Sequence, residues 1–230
     1  CTPNIIAELD KEGKILLVVN SFQQAEVVAT HLNASLIKRG CKEEVCALVS
    51  DSSIEKEESG RYIRRGEVYK FDKKKARILV APALAIERGH NIVDEQGHSS
   101  LSSVFFLIRP MGVPDDVKEK SIKMNGYMAT KMNEYKGTDI YEKNLYVRQE
   151  ATKFWTRMNY SEKRRLDNLS DIEIKTDLVA TMFVLILQIF GRLCRVTDAS
   201  KNPPTVYFVD GAFRKKSDSE QGFDTLNELY

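Results

Sequence analysis

The sequence predicts an α/β fold: a mostly parallel sheet sandwiched by helices, with a helical insertion in the second half of the chain. Three observations carry that prediction. Short runs such as KILLVVNS (14–21) are apolar without alternation, as in parallel strands covered on both faces. Segments with apolar residues at helical spacing separate them. Between Pro110 and Thr205 no strand pattern stands out, and the chain reads as helices.

The first run, bounded by Gly13 and Asn20, predicts strand one. FQQAEVVATHLNASLIKRG follows, with Ala25, Val28, Ala29, Leu32, Leu36 and Ile37 recurring at helical spacing and Gly40 as a stop. EVCALVS (44–50) is the next strand, and a polar loop (51–59) leads to a helix expected at about 60–71, GRYIRRGEVYKF. ARILVAPA (76–83), SSVFFLIRP (102–110) and TVYFVD (205–210) supply three further strands. The interval without strands predicts helices near 115–135, 140–159 and 171–195. In open α/β sheets ligands sit beyond the carboxyl ends of the strands, which directs attention to the segments after Val19, Val80, Ile108 and Val209.

A length of 230 residues allows one large domain or two small ones. The pattern reads as a single domain over 1–230, with a core at about 13–110 and 180–213 and an insertion at about 111–178. The chain opens at Cys1 without an initiator Met, and it is expected to be a piece of a longer protein. Hydrophobic and charged fractions of 42% and 30% are ordinary for a globular protein, and a net charge of +2 gives no global sign of a nucleic-acid partner, so any such argument rests on local patches. Cys1, Cys41, Cys46 and Cys194 lack the spacing of a zinc site, so no metal site is expected and free thiols in a reducing cytosol are the better reading. The apolar run at 178–187 is too short for a span, which needs about 20 residues. No membrane is expected; the compartment is cytoplasmic, or nuclear in a eukaryote.

That run leads into LILQIFGRLCR (185–195), where polar residues gather at the end of a greasy helix. Gln188, Arg192 and Arg195 stand at i, i+4 and i+7 and share one face; Leu185 and Ile189 fall on the flanks, and Leu187, Phe190 and Cys194 can turn toward the sheet. Gly191 leaves room for a close neighbour. Two guanidiniums on one stripe form a rigid, permanently charged fork for oxyanions. Surface arginines at a helix C-terminus, where cations are favoured, are the bland alternative.

Other candidates are weaker. Arg61, Arg64 and Arg65 stand on the segment at 60–71, and DKKKAR (72–77) is a basic cluster of the kind that is usually a solvated turn. KNLYVRQEATKFWTRMNYSEKRR (143–165) holds seven basic and two acidic residues interleaved with Tyr146, Phe154, Trp155 and Tyr160, a mixture that suits single strands. Tyr141, Leu145, Phe154, Trp155 and Met158 also fit the buried stripe of an amphipathic helix, with Lys153, Arg157 and Arg164 pointing outward in either case. His31 reads as structural, and neither His90 nor His98 pairs with a nearby nucleophile.

QIFGRLCR fits Q-x-x-G-R-x-x-R and resembles motif VI of superfamily 2 helicases, which lies in their second RecA-like domain. KILLVVNSFQQAEVVATHL resembles motif IV, and RYIRRGEVYKFDKKKARILVAP the arginine-bearing block before motif V. ILVAPALAIERGHNI resembles motif V itself, with Arg88 and Gly89 at its centre. TVYFVDGAF resembles the closing strand, and LIRPMGVPDD a segment of the iron–sulfur-type DNA helicases. The order IV, V, VI is kept. The chain departs from the family at Pro82, where Thr is common, and at Asn91, where Asp is common; a proline offers neither a hydroxyl nor an N–H to a phosphate.

The resemblance implies a RecA-like fold and the C-terminal motor half of an ATP-dependent helicase or translocase. It makes Arg195 the arginine finger, Arg192 its companion on the γ-phosphate, and Gln188 a positioning residue, with Gly89, Arg192 and Arg195 toward the nucleotide. Arg64, Arg88, His90 and Asn91 would meet the nucleic acid, joined by Lys153, Arg157 and Arg164 of the insertion. No P-loop is present, so ATP and Mg2+ would be held mainly by an N-terminal RecA-like domain of the same full-length protein, and this chain alone is expected to be inactive. The nucleic acid would be DNA or RNA, with DNA favoured. The alternative is a non-catalytic RecA-like module that binds nucleic acid or a protein.

Overall fold

The computed structural model describes residues 2–41, 45–52, 60–86, 91–110, 117–160, 172–194 and 204–213. It is an α/β fold built on a parallel sheet of RecA-like type. Strands β1 (Lys14–Val19), β2 (Val45–Val49), β3 (Tyr62–Arg64), β4 (Ile78–Pro82), β5 (Leu101–Phe106) and β6 (Thr205–Phe208) run in the order β3-β2-β4-β1-β5-β6, with every neighbouring pair parallel. The uninterrupted apolar runs become the inner strands: all of β2 and β4, and β1 after Lys14, are buried.

Period-two alternation splits the core. Ile15, Leu17, Val19, Ala47, Ile78, Val80 and Phe105 point to one face, where α1 (Thr2–Leu9) and α2 (Phe22–Lys38) cover them with Ile5, Leu9, Ala25, Ala29, Leu32 and Leu36. Leu16, Val18, Leu48, Leu79, Ala81, Val104 and Phe106 point to the other face. There α3 (Ala83–Ile86), α6 (Ile172–Leu193) and the 3-10 helix Arg65–Lys73 close over them.

Local sequence explains the ends of α2. The Ser21 hydroxyl accepts from the Gln24 amide, the Gln24 side chain accepts from the Asn20 amide, and the pair caps the first turn. At the other end the Cys41 amide bonds the Leu36 carbonyl while Gly40 turns at φ +76°, the left-handed stop that glycine allows.

One element differs in kind from expectation. The segment at 60–71 is not an α-helix: after Gly60 at φ +69°, Tyr62–Arg64 add to the sheet edge beside Ala47–Val49, and only then does a 3-10 helix begin. Ile63 is the deciding residue, since pairing with β2 buries it in the core. The Gly66 amide then donates to Asp51 Oδ1 (2.8 Å) at the turn into the 3-10 helix. The short α1 had no counterpart in the sequence reading.

Between β5 and α6 lie α4 (Val117–Glu134) and α5 (Ile140–Tyr160), which pack on each other. This is the helical insertion. Its inner seam on α5 is Tyr146, Glu150 and Phe154, at i, i+4 and i+8. Phe154 stacks on Tyr127 at 4.5 Å between centroids and Tyr146 lies against Tyr135 at 5.4 Å. Tyr141 and Leu145, expected in a buried stripe, are 75% and 48% exposed, and Trp155 is 37% exposed; only Phe154 of that set is buried, while Met158 lies beyond the described side chains. Tyr127 on α4 and Tyr135 just after it select the seam, one the apolar pattern of α5 alone did not single out.

Candidate functional site

Helix α6 presents Leu185, Ile186, Ile189 and Leu193 to the sheet, and Met182, one turn before them, is buried as well. Leu185 and Ile189 therefore lie inside rather than on the flanks, while Leu187 and Cys194 face outward and Phe190 is half-buried. The physical reason is the length of the stripe: five large apolar residues at 3–4 spacing outweigh a shorter set around Phe190. Gly191 is exposed, with open space where a Cβ would stand rather than a close neighbour.

Gln188 is exposed, and Arg192, one turn on, is half-buried at the end of the helix. Arg192 Nη1 donates to Asn91 Oδ1 across 3.5 Å, a long contact. Around it, Val68, Ile86, Ile92, Val93 and Leu101 form an apolar surround. Two expected site residues, Arg192 and Asn91, are thus together. Arg88, Gly89, His90, Arg164 and Arg195 lie outside the described residues, and Arg157 is on α5 where its side chain is not described.

The position of this pair differs from the carboxyl-end rule. The end of α6 lies at the amino edge of the sheet, where Leu193 borders a broad concavity shared with Lys14, Leu101, Ser102 and Thr205, which begin β1, β5 and β6. Arg64 instead ends β3, the edge strand farthest from β6, and Lys153 is on the α4–α5 hairpin. Lys153 is exposed as expected, yet its ammonium is paired with Glu150 at 2.7 Å. His31 lies on the exposed face of α2 and holds no core position.

The concavity is not a simple cationic bowl. Lys14 Nζ donates to the carbonyls of Phe71 (2.9 Å), Lys74 (2.7 Å) and Ala76 (3.0 Å) and sits 4.6 Å from the centre of the Phe71 ring. Burial pushes its pKa down. Arg77 donates to the carbonyls of Leu9 (2.6 Å), Gly13 (2.9 Å) and Lys11, fastening the end of α1 to the start of β4. Lys74 donates to the Tyr62 carbonyl at 2.9 Å. Two of the four cations in the basic cluster at 72–77, Lys74 and Arg77, are thus engaged with backbone oxygen, and Lys73 lies 3.8 Å from Glu95. Sequence reasoning missed these anchors; the signal was a lysine at the first position of an otherwise apolar strand.

DEQG (94–97) forms a turn: Asp94 Oδ1 accepts from the amides of Gln96 and His98, and Gly97 has φ +82°. Among the described residues no group of three or more His, Cys, Asp or Glu could hold a metal, and no helix is long and apolar enough to cross a membrane. Cys41, Cys46 and Cys194 are free thiols. No protein-family model matches the chain, and no curated protein is significantly similar to it.

Proposed function

We propose that this chain is the C-terminal RecA-like motor domain of an ATP-dependent nucleic-acid helicase or translocase, acting with an N-terminal RecA-like domain of the same protein. The observation that carries the reading is the Arg192–Asn91 contact, which joins the segment resembling motif VI to the one resembling motif V. A link of that kind can couple a nucleotide cleft to a strand-tracking loop. ATP, held with Mg2+ mainly by the other domain, would supply the γ-phosphoryl group. Arg192 fits a role toward that phosphate: its guanidinium is permanently charged and held beside Asn91, the residue is partly exposed, and Gln188 is exposed one turn away. Arg195 is the proposed finger. Arg64, Arg88, His90 and Asn91 would face the nucleic acid, DNA or RNA with DNA favoured. The protein would work in the cytoplasm, or in the nucleus of a eukaryote.

The test is a paired measurement. In the full-length protein Arg195→Ala should lower turnover at least ~10²-fold with ATP affinity within a few-fold, because the lost charge acts most as the phosphoryl group leaves. Arg195→Lys should rescue little. Normal turnover in Arg195→Ala, or a large loss of melting temperature without a kinetic effect, would reject the assignment. The second reading, a non-catalytic module, is favoured by Pro82, which ends β4 opposite Val19 without an N–H, and by Asn91, which stands where the resembling family commonly has Asp.

A further inference from the structure

We propose that the outward face of α5 is a surface for single-stranded nucleic acid, with Tyr141 and Trp155 stacking on bases and Arg148 meeting a phosphate. The proposal rests on the reading that this chain acts on nucleic acid, and it names where the insertion would touch the strand. Tyr141, Leu145, Arg148, Thr152 and Trp155 are all exposed and follow at steps of four and three. At about 100° per residue they fall within roughly 40° of one line along the helix, opposite Glu150 in the seam with α4. At 1.5 Å per residue the stripe is about 21 Å long, with Arg148 midway.

Charge singles out the occupant. The carboxylates of this helix are withdrawn from the stripe. Glu150 accepts from the Tyr127 hydroxyl (3.1 Å) and pairs with Lys153; Glu142 accepts from the Tyr135 hydroxyl (3.2 Å). Asp139, just before the helix, caps it by accepting from the Tyr141 amide at 2.6 Å. What remains outward is two aromatic rings, a guanidinium and uncharged side chains, the combination that takes bases on rings and phosphate on a cation. A second copy of the chain fits poorly. An antiparallel two-fold pairing of this face would set Tyr141 against Trp155 of the other copy and Arg148 against Arg148, a like-charge contact at its centre.

Trp155 is the single tryptophan in the chain, so its emission reports on the stripe directly. The 230-residue chain is titrated with a single-stranded oligothymidylate at low salt. A saturable quench is expected. Tyr141→Ala should weaken binding about tenfold, as loss of one stacked base does. Arg148→Ala should weaken it and reduce the salt slope by about 0.7. Both side chains are exposed, and unchanged circular dichroism would confirm that the variants fold. Strand binding that leaves Trp155 emission unchanged, or variants with the wild-type affinity and slope, would overturn the proposal by placing the strand elsewhere. Absence of strand binding would overturn it too, as would a stripe that supports self-association instead of strand binding. None of these outcomes touches the nucleotide-site reading, which is tested separately by turnover of the full-length protein.

Discussion

Glu8 shows how a single side chain can tie the outer helix to the sheet. It is 1% exposed, and it accepts from Lys11 (2.5 Å) and from the Tyr207 hydroxyl on β6 (2.7 Å). Burial pushes its carboxyl pKa up, but the hydrogen bond from Lys11, that from Tyr207 and the Lys11 charge outweigh burial and hold it below the ordinary 4.5. A carboxylate with a depressed folded pKa contributes stability that is full above its unfolded value and is lost as pH falls through the folded value. The chain should therefore lose melting temperature as pH drops below about 4.5, and Glu8→Gln should flatten that part of the curve. An equal acid limb in the variant would show that other carboxylates set it. Lys14 is the second such residue. Lys14→Ala leaves three carbonyls without their shared donor and removes a cation from the Phe71 ring, so a loss of about 3 kcal/mol in denaturant unfolding is expected. A change under about 0.5 kcal/mol would mean that water replaces the ammonium there.

At the scale of elements, α6 offers a direct check on which side faces the sheet. Ile189 is fully buried against the sheet face formed by Val104 and Phe106, whereas Leu187 is 48% exposed. Ile189→Ala should cost roughly 2–5 kcal/mol, and Leu187→Ala under about 1 kcal/mol, in equilibrium unfolding. Similar costs for the two would contradict this orientation. The same helix marks what the sequence made legible. Its existence and extent follow from an apolar run too long for a strand, and the shared face of Gln188 and Arg192 from their spacing of four. Its rotation does not, since almost every residue from Leu178 to Phe190 is apolar and nearly any face could be the inner one. Strands β1, β2 and β4 were equally legible, being buried on both sides. The edge strand β3 was not: three residues, two of them polar or aromatic, carry no period of their own, and pairing with β2 decides their state. Arg192 meeting Asn91 depends on a separation of 101 residues, which no local pattern encodes.

The whole molecule brings the sheet, the hairpin and the end of α6 into one chain, yet no P-loop is present in its sequence. On the proposed reading Arg192, near the end of α6, and Arg195 act on a phosphate that another domain holds. The 230-residue chain should then fold by itself, since the sheet is covered on both faces by its own helices. It should show no ATP turnover above background, with or without nucleic acid, because phosphoryl transfer depends on a phosphate cradle and its sequence has no P-loop. Adding the N-terminal domain as a separate protein should restore strand-stimulated turnover, and Arg195→Ala in the present chain should abolish the gain. Arg192→Ala should do so too and also weaken ATP binding, since the contact between its guanidinium and Asn91 is lost as well. Turnover by the purified chain alone, free of contaminating ATPase, would reveal a nucleotide site within this sheet and overturn the division of labour. Restoration that ignores both arginines would leave the module reading in its place, with Arg192 serving to hold the segment at Asn91 against α6.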